Sequence, residues 1–169
     1  MEKSRREILE TAFDSAKQYE MKSGGCPQCT MAGIFEAMGI DNPDVFKAAT
    51  GFADGVGLTG DGHCGALSGG VMAISYIFGR NIEDFGDMTK LVKANLLSKD
   101  LHDRFIEKYG TCRCYDLQTS FFGRFYNLWD PAELKEAIHS GMLEQCSNVV
   151  GEVARMATEI ILTQEEKTQ

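Results

Sequence analysis

Six cysteines, at 26, 29, 64, 112, 114 and 146, stand in a chain that has only three histidines and no Cys-x-x-Cys-His run. Covalent haem attachment by the usual route is therefore excluded. The N-terminus, MEKSRREILETAF, is charged where a secretory leader needs an apolar core, so a cytoplasmic protein is expected, and a disulfide scaffold is not. Three readings of the thiols remain: a metal or cluster site, a working dithiol, or buried small hydrophobes. Cys26-x-x-Cys29 has the spacing of a dithiol or of half a metal site, and that spacing also arises by chance in a cysteine-rich chain. The one-residue gap of Cys112-x-Cys114 rarely lets both sulfurs bind one metal comfortably. Cys146 lies on an apolar stripe, where an inert buried thiol is as natural as a ligand. The separations between 26, 64, 114 and 146 match neither compact zinc-finger nor ferredoxin spacings, so any shared site must be assembled by the tertiary fold.

Other chemistry is thinly represented. His63, beside Cys64, reads as a substitute ligand, a proton relay or simply a polar loop residue, while His102 and His139 read as surface residues. Asp54, Asp61 and Glu36 form no hydrolytic pair of recognisable spacing. Ser68 lacks the preceding strand of a nucleophile elbow, and no Walker loop, Rossmann fingerprint or His-Glu-x-x-His is present. These residues alone assign the chain neither to the enzymes nor against them.

The elements that must carry the thiols read as helices. Ser4-Arg-Arg-Glu7 is a capping box, followed by a stripe of Ile8, Leu9, Ala12, Phe13, Ala16 and Tyr19 that ends before Ser23-Gly24-Gly25. Further helices are expected over Pro27–Met38, after Asp41-Asn42-Pro43, and over Gly65–Phe78, whose first residues have almost no side-chain volume. A long helix capped at Asn81, bent around Ser98 and closed by Gly110 is expected next, then one starting at Asp130-Pro131, and a closing amphipathic helix that carries Cys146 in its opening part. Residues 111 to 129, with Phe121, Phe122, Phe125, Tyr126 and Trp129, lack a clean period and read as core, pocket wall or partner surface. Six glycines in GFADGVGLTGDGHCG, 51 to 65, preclude a helix there. The expectation is an all-α fold: one domain over residues 1–169, a bundle of about six helices with a Gly-rich connecting loop. Cys26, Cys29 and Cys64 then fall at helix starts, where the dipole and unpaired N–H groups are expected to lower a thiol's pKa.

The balance of 17 basic against 25 acidic residues, net −8, excludes a generic binder of nucleic acid or anionic membranes. CGALSGGVMAISYIFG, 64 to 79, is too short for a membrane span.

In their joint order these features resemble a family of redox-active proteins named for its cysteine pattern, C-GCAxxG-C-C. Cys26-Pro27-Gln28 is similar to its first element, Gly51-Phe52 through Gly60 to its glycine loop, and Cys64-Gly65-Ala66-Leu67-Ser68-Gly69 to its central motif. Gly110-Thr111-Cys112-Arg113-Cys114 supplies the third cysteine at Cys114, and Cys146 supplies the fourth. The resemblance covers roughly residues 5 to 162. It implies an all-helical redox protein related to the non-haem portion of split-Soret cytochromes, and through that relative an iron–sulfur cluster held by Cys26, Cys64, Cys114 and Cys146 in one pocket. Cys29 and Cys112 are extras to that pattern, as spare ligands, a second thiol pair or neutral substitutions. A thiol–disulfide carrier, and a non-catalytic helical binding protein with structural zinc or no cofactor, remain alternatives. A redox partner is implied without being identified, and a homo-oligomer is left open.

Overall fold

The computed structural model describes residues 4–167; residues 1–3, 168 and 169, the ends of the expected domain, lie outside them. Eight α-helices follow in order: α1 (Arg5–Ser23), α2 (Cys26–Met38), α3 (Pro43–Ala48), α4 (Gly65–Phe78), α5 (Val92–Tyr109), α6 (Cys114–Phe122), α7 (Pro131–His139) and α8 (Met142–Glu166). Short 3₁₀ segments lie at Thr50–Phe52, Ile82–Asp84 and Met88–Leu91. No strand occurs among the described residues, and no helix is long and apolar enough to cross a membrane.

The fold is all-α, as expected, but with eight helices instead of about six. The expected helix from Asn81 is two 3₁₀ turns followed by α5, because Asn81 makes no side-chain cap and Gly86-Asp87 interrupts the chain; Asp87 instead accepts from Thr89 N. No break falls at Ser98. The aperiodic stretch contains α6, which has no side-chain cap and so no visible start signal. Gly51 and Phe52 belong to a 3₁₀ turn, so the non-helical run is Ala53 to Cys64.

Three starts follow their caps. Ser4 Oγ accepts from Glu7 N at 3.3 Å while Glu7 Oε2 accepts from Ser4 N at 2.7 Å, Asn42 caps α3, and Asp130 accepts from Ala132 N and Glu133 N.

α1 packs on α2 and α8, α2 on α4 and α8, and α4 on α5 and α8, around Met31, Ile34, Ile74, Leu101, Phe105, Val150 and Val153. Glycine permits a close crossing: a Cβ at Gly69 would collide with the Pro27 carbonyl, so α4 lies directly on the first turn of α2. A smaller cluster of Tyr126, Ala137 and Met142 forms beside this core.

Candidate functional site

Backbone pairing joins the second and third cysteine regions. Cys64 N donates to Cys112 O at 2.8 Å, Cys114 N to Gly62 O at 3.0 Å and Tyr115 N to Gly60 O at 2.9 Å, around a bridge between His63 and Arg113. Within the loop, Gly60 N donates to Asp54 O and Gly62 N to Gly55 O, folding residues 54 to 62 back on themselves. Trp129, otherwise exposed, donates its Nε1 to Gly57 O at 3.0 Å and clips the loop from outside. Cys64 is the residue before α4, and Cys26 and Cys114 are the first residues of α2 and α6. A Cβ at Gly65 would strike Cys26 Sγ, which sets that sulfur against the start of α4.

Cys26, Cys64, Cys114 and Cys146 all border one cavity of about 400 Å³. Its walls are mainly apolar, with Leu58, Leu117, Phe121 and Leu128 among them; Glu20, Asp54 and Gln118 are its titratable or amide side chains besides the thiols. Asp54 is buried at φ +47°, and its Oδ1 accepts from Cys114 Sγ at 2.9 Å and from Gln118 Nε2. Among the described residues no three His, Cys, Asp or Glu side chains are grouped as they would be around a single metal ion.

The thiols are not acidified. Burial pushes Cys26, Cys114 and Cys146 well above the ordinary thiol range, and repulsion from Cys64 raises each further. Cys64 is pushed up to about 11, again by burial, although hydrogen bonding to the N–H groups of Ala66 and Leu67 pulls the other way. The helix-start expectation therefore fails on magnitude: the dipole effect exists at Cys64, but desolvation in a cavity with no cationic side chain exceeds it. Burial likewise raises Glu20 and Asp54 above the usual carboxylate range.

Cys29 does not border the cavity; its buried Sγ donates to Gly24 O at 3.1 Å, and burial then Glu20 push it up. Cys112 is half-buried and lines a different depression with His63, Asp61 and Arg113. The two members of each close pair, 26/29 and 112/114, thus face different surroundings. Of the aromatic segment, Phe121 lines the cavity and Tyr126 is buried. Glu20 was not legible in the sequence: the stripe pointed to Tyr19, yet Tyr19 is 38% exposed and hydrogen-bonded to Glu36, whereas Glu20 is buried. Asp54 carried one signal, an acid inside a glycine-dense loop.

A family model described as "Putative redox-active protein (C_GCAxxG_C_C)" matches residues 25–160. No curated protein matches the chain, and no solved structure does.

Proposed function

The chain belongs to that family, and from this premise we propose that it transfers electrons through an iron–sulfur centre held by Cys26, Cys64, Cys114 and Cys146. The observation that carries the reading is the convergence on one cavity of four cysteines whose successive gaps in sequence are 38, 50 and 32 residues. Bound there, such a centre supplies a one-electron couple whose potential follows its charge, hydrogen bonds and exposure. The chain's own part is ligation by soft thiolates, with the amides of Ala66 and Leu67 favouring negative charge at Cys64 and leucine and phenylalanine walls limiting water. The same four thiolates would suit a structural zinc ion, which carries no redox chemistry and so leaves the redox description of the family unexplained. Thiol exchange is less well served, since an attacking cysteine needs an accessible, low-pKa thiolate and these four are pushed the other way.

The test is anaerobic reconstitution with ferrous iron and sulfide, followed by iron and labile-sulfide determination. Wild type should take up both, Cys64→Ser should lose most of both, and Cys112→Ser should retain them because Cys112 borders another depression. Uptake of neither, with rapid alkylation at Cys26 or Cys29, would transfer the redox role to thiol exchange.

A further inference from the structure

Two buried side-chain oxygens among the described residues lack a hydrogen-bond partner, Glu20 Oε2 and Asp54 Oδ2, and both residues line the cysteine cavity. They come from separate elements, the last turn of α1 and the loop before α4, and the residues are only 6% and 7% exposed. Elsewhere the chain satisfies a buried carboxylate: Glu152, 8% exposed, receives Lys108 at 2.8 Å and Arg155 at 2.6 Å. The cysteine cavity offers no such cation, since no lysine, arginine or histidine lines it. Asp54 is nonetheless held firmly. Its Oδ1 accepts from Cys114 Sγ and Gln118 Nε2, and Gln118 Oε1 in turn accepts from Tyr126 N. That fixes Oδ2 in place with its lone pairs uncommitted.

Buried polar atoms are nearly always partnered, so two carboxyl oxygens left without a partner in one cavity, although the Cys29 thiol bonds the Glu20 carboxyl and Cys114 and Gln118 bond Asp54 Oδ1, point to an occupant that the chain itself does not supply. We propose that Glu20 and Asp54 are oxygen ligands of the same metal centre, which makes its ligand set mixed thiolate and carboxylate. This deepens the iron–sulfur reading and rests on it. Four sulfur and two oxygen donors on the wall of one cavity suit a polynuclear centre in which the two kinds of ligand serve different metals.

The experiment uses the full chain, reconstituted anaerobically with ferrous iron and sulfide, as wild type, Glu20→Gln, Asp54→Asn and the double variant. Each substitution keeps the shape and one carbonyl acceptor, and circular dichroism of the unloaded proteins checks the fold. Iron-edge X-ray absorption of wild type should show an oxygen shell beside the sulfur shell. The double variant should lose that oxygen shell and give up iron to a chelator at least about tenfold more readily. A sulfur-only shell in wild type overturns the proposal whatever the variants do, and leaves the iron–sulfur reading standing. Wild type that takes up no iron overturns both.

Discussion

Three buried carboxylates show how the same side chain takes opposite roles from its neighbours. Burial alone would push the Glu152 carboxyl up, but hydrogen bonds and charge from Arg155 and Lys108 outweigh it and hold the group below the usual range. Glu20 and Asp54 have no cation facing them, and burial raises both. The consequence for stability has a definite sign at Glu152. A carboxyl whose folded pKa is depressed contributes stability above its unfolded value, and that stability is lost as pH falls through the folded pKa. Glu152→Gln should therefore lower stability at pH 7 by up to about 1 kcal/mol, a figure discounted for the solvent-facing Lys108 and Arg155. The difference from wild type should close as pH drops below about 4. Urea melts at pH 7 and pH 3 measure both ends. An equal deficit at both would mean that the side chain contributes through packing and not through its charge.

Between elements, the determinant of the cysteine cavity is how closely α2 and α4 approach. Alanine at an ordinary helical glycine should gain about 1 kcal/mol of propensity. At Gly69 the added methyl would meet the Pro27 backbone, which has no rotamer by which to yield. Gly69→Ala should therefore destabilise by about 1–3 kcal/mol net, and it should also reduce iron uptake, because moving the first turn of α2 moves Cys26 relative to Cys64. Thermal melting and reconstitution on one preparation would separate the effects; unchanged uptake with a lower Tm would show that the cysteine geometry tolerates the shift. The sequence foretold this crossing only in part. The small residues of GALSGG announced that something comes close, and Ser4, Asn42 and Asp130 announced where helices begin, because capping is local chemistry. Which neighbour comes close is a long-range fact, as is the burial of Glu20. α6 was hidden because its start is stabilised from a distance, by Gly62 O and Gly60 O accepting from Cys114 N and Tyr115 N, and not by a cap of its own. The same distance explains the thiols. The order of the cysteines marked four of the six, but the raised pKa of each comes from surroundings that spacing does not encode.

Across the whole molecule, the cavity is a joint between two unequal parts. α1, α2, α4, α5 and α8 share one apolar core that also takes in Leu117 and Phe121 of α6, whereas Tyr126, Ala137 and Met142 form a smaller cluster with Phe122, Leu128 and Cys146, and α7 packs chiefly on α8. The cavity wall draws on both: Cys26, Leu117 and Val150 from the main core, Ala137, Met142 and Cys146 from the smaller cluster. A centre ligated by Cys26 and Cys64 on the side of the main core and by Cys146 on that of the smaller cluster would therefore cross-link two clusters that border one space. A ligand at about 1,000 times its dissociation constant stabilises the folded state by about 4 kcal/mol. In a chain of this size that amounts to a Tm increase on the order of 10 °C. The distribution of the effect is more informative than its size. Amide exchange in the iron-loaded protein should slow most at residues 53 to 64 and 111 to 140 and least in the middle of α5 and α8. Those middle segments already sit in the apolar core, with Leu101, Phe105, Val153 and Ala157 fully buried. Stripping iron with a chelator should reverse the pattern, and Cys64→Ser should show the stripped pattern from the start. Uniform slowing along the chain would mean that the two clusters unfold together, and that the cavity joins nothing that was separate.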